Sequence, residues 1–308
     1  MPNLICPSAP PICIGVPVYN GEKFIGLTLD SLLAQTYPNF EIIISDNASS
    51  DNTEAICKEY MKKDKRIKYY RNEINLGAAK NFNRVFELSR SKYFRWNSAD
   101  DICSPNLLEK CKNMLDTYPD AALCSVNTCI IDERNKIVKF YEDDLNLQHQ
   151  QVWKRFLLLN LKLGLCNAQF GLMRSDVLRK TKLEGNYPGS DMVFLAEMIL
   201  YGKFIQIPEF LFFRRFHASA FSSLASEEQQ QAYWDPMTRG KIFLRTWKHL
   251  FENFRSVKRA PLKFLDKLSV FKVLMQLVVW YRKKMLQELV WGTQVFLKRL
   301  SFKNCMIC

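Results

Sequence analysis

Short apolar runs punctuate the first part of the chain: ICIGV (12–16), EIIIS (41–45), IKYY (67–70), YFRW (93–96) and AALCSV (121–126). Each has the length of a strand, and longer segments with helical spacing separate them. Between Lys23 and Gln35, for example, Phe24, Leu27, Leu29, Leu32 and Leu33 fall largely on one stripe, and Thr-Tyr-Pro ends it. Runs with little polar alternation predict strands buried on both faces, and helices between them predict a mainly parallel α/β sheet flanked by helices. Ligands of such sheets bind beyond the carboxyl ends of the strands. VPVYN, SDNASSDNT and NSADD all fall at such ends.

The rhythm weakens after about residue 130. EDDLNLQHQQ reads as a solvated connection, and 150–165 as an amphipathic helix containing Trp153, Phe156 and Leu157. From Trp234 the chain turns basic, aromatic and helical. A boundary at 225–235 therefore divides a catalytic-type region, 1–230, from a helical extension, 231–308. Charge sharpens this division. The net charge is +13, and residues 239–308 alone hold 16 Lys and Arg against 3 Asp and Glu, so a neutral body carries a basic tail. Segregation of that kind, without a basic platform interleaved with aromatics, argues against nucleic acid as the partner.

The ten cysteines are scattered, mostly within apolar runs, and show neither a disulfide framework nor zinc-ligand spacing. Buried reduced thiols are expected. MPNLICPSAPPICIG lacks the basic start and apolar core of a signal peptide, which points to the cytoplasm, and the NASS acceptor pattern at Asn47 then carries no weight.

The loops hold the candidate chemistry. VPVYNGEKF places Pro17, Tyr19 and Asn20 between a strand and a helix, offering an aromatic face and backbone N–H groups to a flat ligand. In SDNASSDNT, Asp46 follows three isoleucines as an acceptor for a base edge or ribose, and Ser50 or Asp51 is placed to cap the next helix. Asp100 and Asp101 repel one another, so a strand end tolerates them where water or a cation compensates. Mg²⁺ commonly takes one or two carboxylates plus substrate phosphates, making the pair either a metal–diphosphate anchor or an ordinary loop start before Pro105.

Together these loops resemble the family 2 glycosyltransferases, whose catalytic domain has the GT-A fold. The resemblance covers about residues 11–220. It rests on IGVPVYNGEKFIGLTLDSLLAQTYPNFEIIISDNASSDNT, on NLGAAKNFN and on YFRWNSADD. It implies that Pro17, Tyr19, Glu22 and Asp46 hold the nucleotide base and ribose, that Lys80 lies near the base or diphosphate with Ala99 on the same nucleotide side, and that Asp100, with Asp101 beside it, binds a divalent cation, Mn²⁺ or Mg²⁺. Two positions depart from the family pattern. Ser98 replaces the first carboxylate of Asp-x-Asp, and Lys80 stands where Arg is common, a point charge without the bidentate fork.

YPGSDMVFLAEMILYGKF reads as a turn followed by an apolar helix, with Ser190 as N-cap and Asp191 in the first turn, where the helix dipole favours a carboxylate. The resemblance assigns Asp191 the role of catalytic base in inverting members; Glu197, two turns on, is the second candidate. FRRFHASAFSS resembles the segment that closes over the diphosphate, with Arg214 on phosphate and His217 completing the metal shell. These positions imply metal-dependent, inverting transfer of a sugar from a UDP or dTDP donor to a glycan or lipid-linked acceptor, in the manner of cell-surface polysaccharide synthesis. A nucleotide-binding protein of the same fold without catalysis is the alternative.

In the tail, LSVFKVLMQLVVWYRKKMLQELVWGTQVFLKRLSF is too interrupted by Lys272 and Gln276 to span a bilayer. Two placements fit it: lying on the anionic inner face of a membrane with Trp280 and Trp291 at the interface, or packing as a helical hairpin on the catalytic domain or in an oligomer. The oligomeric state stays open. The terminal CMIC matches the loose form of a prenylation box as well as a Cys-x-x-Cys pair.

Overall fold

The computed structural model describes residues 9–218, 226–238 and 241–305; residues 306–308 of the CMIC sequence lie outside them. The first half alternates strands and helices: β1 (Ile12–Val18), α1 (Ile25–Leu33), β2 (Phe40–Asp46), α2 (Thr53–Lys63), β3 (Ile67–Arg71), α3 (Ala78–Leu88) and β4 (Tyr93–Trp96). Every residue of β1, β2 and β4 is buried, as the unbroken apolar runs require of central parallel strands. β3 exposes Lys68, Tyr70 and Arg71, as an edge strand can.

Next come β5 (Ile102–Cys103), α4 (Leu107–Thr117), β6 (Ala121–Ile131), β7 (Ile137–Tyr141) and α5 (Val152–Lys162). They are followed by β8 (Leu172–Arg174), α6 (Ser175–Leu178), α7 (Ser190–Tyr201) and β9 (Lys203–Arg215). The strands form one mixed sheet in the order β3-β2-β1-β4-β8-β6-β9-β5, with β7 on β6. β3, β2, β1 and β4 are mutually parallel, whereas β8 runs antiparallel to both β4 and β6. From β1 the chain moves outward through β2 and β3, then returns to place β4 on the other side of β1. That reversal opens a crevice at the carboxyl ends of β1 and β4, where VPVYN and NSADD emerge. The short β5 pairs with Phe212 and Phe213 of β9 and so brings the loop after β4 against the end of β9.

The C-terminal part consists of α8 (Glu227–Trp234), α9 (Arg245–Arg259) and α10 (Phe264–Cys305). Leu250, Val257 and Ala260 of α9, with its C-cap, and Val270, Leu274 and Leu277 of α10 join the same buried cluster as the sheet residues. Residues on both sides of the compositional boundary thus share one core. Polar ties reinforce the packing: Arg259 donates through Nε and Nη2 to the two carboxylate oxygens of buried Glu197, at 3.1 and 3.0 Å. The second base candidate is therefore occupied as the α7 end of an ion pair to α9. Among the described residues no helix is long and apolar enough to cross a membrane.

Candidate active site

At the crevice, β1 ends in Pro17 and Val18, and the chain turns sharply through Asn20, whose φ is 51°. The Asn20 side chain accepts from the Ser50 N–H at 2.8 Å, and its own N–H donates to Ser49 Oγ at 2.9 Å, so the loops after β1 and β2 brace each other. Beneath them lies a network of asparagines, of which Asn47, Asn72 and Asn81 are buried. Asn47 donates to Asn75 at 2.8 Å and accepts from Asn72 at 2.9 Å; Asn81 accepts from Ser45 Oγ at 2.7 Å and donates to the Ser45 carbonyl at 2.8 Å. These bonds hold the loops in one arrangement, with the buried Asn72 Oδ1 left without a partner. Tyr19 is left half exposed above it, at 51%.

The acid pair is divided by environment. Asp100 Oδ2 lies 2.8 Å from His217 Nε2, and the His217 ring rests against Phe24. Asp101 is buried and accepts the Arg215 N–H at 2.8 Å, while Arg215 Nε donates to the Asp100 carbonyl at 2.8 Å. Burial, then the charge of Asp100, pushes the Asp101 carboxyl well above the carboxylate range. Adjacent carboxylates are tolerated here because one sits at the cavity beside an imidazole and the other is held inside among arginines. The turn carrying them is pinned to α1 by Thr28 Oγ1, which donates to the Ala99 carbonyl at 3.0 Å.

These groups converge on a cavity of about 630 Å³. Of the residues singled out in the sequence, Pro17, Tyr19 and Ala99 line it, as do Asp100, Asp101, Arg214 and His217. Glu22, Asp46, Lys80 and Asp191 do not. Glu22 accepts from the N–H and side-chain amide of Asn52. Asp46 is fully buried and accepts from Ser49 N–H, Tyr69 and Arg71 at 2.8, 2.6 and 2.8 Å. Lys80 stands exposed on α3. Neither Ser50 nor Asp51 is the N-cap of α2: that position is Asn52, without a side-chain cap bond, and Asp51 accepts the N–H of Thr53, the first helical residue, at 3.0 Å.

Asp191 lies to one side, in the first turn of α7. The turn before it uses Gly189 at φ 79°, and Gly189 leaves no room for a side chain because a Cβ would stand 2.5 Å from the His249 ring. Ser190 is the first helical residue rather than the N-cap, and its hydroxyl donates to Glu184 at 2.7 Å. The left-handed glycine sets the turn, which frees Ser190 to satisfy a buried carboxyl. Burial, then the charge of Asp191, pushes Glu184 up, and burial and Asp191 likewise push up the Cys166 thiol. Next to Cys166, Asn167 accepts from Arg214 at 2.7 Å, and Leu165 O accepts from the same guanidinium nitrogen at 2.6 Å. One loop thus connects Asp191 to the arginine at the cavity.

Several lining residues carried no readable signal. Ala232 and Tyr233 of α8 close the cavity from the extension. Gly77, at φ 86°, makes this approach fit: a Cβ there would meet the Trp234 carbonyl oxygen at 2.5 Å. Lys23 and Glu133 pair at the cavity's edge across 110 positions. Asn47 and Asn81 stood inside recognised motifs, but only their mutual geometry reveals their role. Among the described residues, no group of three or more His, Cys, Asp or Glu side chains is placed to hold a metal.

The model of the family described as "Glycosyl transferase family 2" matches residues 13–181, more than half of the chain. The chain belongs to glycosyl transferase family 2. This family 2 chain is 31% identical over 237 residues to an uncharacterized glycosyltransferase of Haemophilus influenzae, a match covering 73% of this chain and 71% of that one. A glycosyltransferase of Methanocaldococcus jannaschii is 30% identical over 177 residues, covering 57% and 59%. Among solved structures, S. aureus TarS in complex with UDP superposes with a TM-score of 0.62 at 16% identity, covering 88% of this chain and 73% of that one. The Pyrobaculum calidifontis mannosyltransferase PcManGT, solved with GDP-Man and Mn²⁺, gives 0.51 at 13% identity, covering 96% and 88%. Both share the GT-A arrangement of a mixed sheet flanked by helices.

Proposed function

We propose that this family 2 glycosyltransferase moves a sugar from a UDP or dTDP donor to a glycan or lipid-linked acceptor, with inversion at the anomeric carbon. One observation carries the reading: loops from β1, β4 and β9 converge on one cavity at the sheet's reversal point and bring to it an aromatic face, a carboxylate–imidazole pair and an arginine. Tyr19 and Pro17 receive the base. Asp46 and Glu22 act through the loops they hold, and Arg214 supplies positive charge to the diphosphate, whereas Lys80, exposed on α3, lies outside the cavity.

The residues fit a divalent ion such as Mn²⁺ or Mg²⁺. Asp100 Oδ2 and His217 Nε2 meet at 2.8 Å on the cavity wall, a two-donor set suited to an ion that completes its shell with phosphate oxygens and water. When bound there, the ion would neutralise charge on the departing diphosphate. Asp191 takes the proton of the acceptor hydroxyl as its oxygen bonds to the anomeric carbon and the bond from that carbon to the diphosphate oxygen breaks. Attack from the face opposite the leaving group inverts configuration.

The extension supports a location on the inner face of a membrane. Along α10, Leu268, Met275, Val279, Leu286, Val290 and Leu297 are all at least 40% exposed and follow a helical stripe. Lys272, Arg282 and Lys283 flank it, the pairing an anionic lipid surface selects.

The test is turnover. Purified protein with Mn²⁺ and a panel of UDP-, dTDP- and GDP-sugars should release nucleoside diphosphate from at least one donor. Asp191→Asn should lower that rate by about 10²–10⁴ while leaving UDP affinity unchanged. Tight UDP binding with no donor consumed would make the protein a binding module, and normal turnover by Asp191→Asn would remove the base assignment.

A further inference from the structure

A second cavity, of about 940 Å³, is lined by Glu184, Asn186 and Tyr187 in the segment that leads into Asp191. The two cavities share their walls. α3 gives Asn81 and Phe82 to the first and Asn83 to the second; α8 gives Ala232 and Tyr233 to the first and Gln231 to the second, with Asp235 just beyond its end. Glu184 lines the second cavity and accepts from Ser190, the neighbour of Asp191. Asp191 also neighbours Cys166, in the loop that holds Arg214 at the first cavity. Asp191 lines neither cavity, but through Ser190 and Cys166 it is tied to a wall of each.

The lining of that cleft indicates what it takes. Trp247 and Phe251 stand one turn apart on α9, 41% and 56% exposed, and both face the cavity. The Trp247 indole N–H donates to the Met285 carbonyl of α10 at 3.1 Å, so the ring is held in place and presents its apolar face. Tyr187 adds a buried aromatic wall. Around these faces stand Asn186 and Gln231, and Lys182 and Lys248 line the cleft with their ammonium groups paired to Glu252 of α9. A sugar ring has this same pattern, with an apolar C–H face and a rim of hydroxyl groups that need hydrogen-bonding partners. A lipid tail would bury the polar rim without compensation.

We propose that this cleft is the acceptor site and that it binds the acceptor through a pyranose ring stacked on Trp247 and Phe251. The assignment rests on the donor reading of the first cavity. It gives the C-terminal helices a direct part in the reaction: α9 supplies the platform and α10 fixes its angle. Acceptor choice then resides in the extension rather than in the motif-bearing loops.

The experiment uses saturation-transfer NMR on the full chain, with methyl glycosides of glucose, galactose, mannose and N-acetylglucosamine as probes at millimolar concentration and UDP with Mn²⁺ followed in the same samples. Ring-proton signals from at least one glycoside should appear and persist when UDP is saturating. They should fall about fivefold or more in both Trp247→Ala and Phe251→Ala, and return in Trp247→Phe, with UDP signals unchanged throughout. No glycoside signal from the unmodified protein, signals indifferent to both alanine variants, or signals displaced by UDP would each overturn the proposal. Glycoside binding that depends on Trp247 in a protein that binds no UDP would support the cleft and overturn the donor reading instead.

Discussion

Asp143 shows how a single residue can report on the site's support. It is buried, accepts from the Asn167 amide at 3.2 Å, and Asn167 in turn holds Arg214. Burial pushes its carboxyl up to about 6. Between pH 4 and 6 the folded protein therefore holds a proton that the unfolded chain releases, and stability falls as pH rises through that window, by up to about 3 kcal/mol. Asp143→Asn removes the penalty. Denaturant unfolding should show the variant equal to the parent near pH 4 and more stable by about 1–3 kcal/mol at pH 7; a parent that is the more stable at pH 7 would mean that the charge of Arg214 outweighs burial. Nothing in the sequence announces this residue, because Asp143, Asn167 and Arg214 meet only after distant segments pack. Asp100 and Tyr19, by contrast, are legible because each sits in a short motif at a strand end.

At the scale of elements, the strands of the first half could be read from their apolar runs, since a strand buried on both faces needs no partner-specific code. Helix α7 could be read too, but not how it begins. Ser190 has the chemistry of an N-cap, whereas the structure gives the turn to Gly189 at φ 79° and the hydroxyl to Glu184. Gly189→Ala should thus strain the backbone and press on His249. The expected loss is about 1–3 kcal/mol of stability, with donor turnover falling more than UDP affinity, because Asp191 moves and the nucleotide loops do not. Gly77→Ala tests the other approach. It should loosen α8 from α3, read as faster proteolysis within 226–238, while an unchanged digestion pattern would show that α8 does not depend on that contact.

For the whole molecule, segregation of charge into the tail could be counted from the sequence, but the placement of the tail could not. Its apolar residues serve two surfaces at once. Val270, Leu274 and Leu277 enter the core shared with the sheet, and Leu286 and Val290, 61% and 58% exposed, face outward. Leu286→Glu with Val290→Glu should leave the melting temperature within about 2 °C of the parent. Sedimentation with phosphatidylglycerol vesicles should fall at least about tenfold. A shift in oligomeric state with unchanged vesicle binding would assign the stripe to a second copy of the chain.

Coupling between nucleotide and metal is the most direct measurement. Isothermal titration of UDP should show at least about tenfold tighter binding with Mn²⁺ than without, and by linkage the same factor for Mn²⁺ when UDP is present. Asp100→Ala should abolish that factor and leave metal-free UDP binding in place. Equal UDP affinity with and without Mn²⁺ in the unmodified protein, or undiminished coupling in Asp100→Ala, would contradict the account.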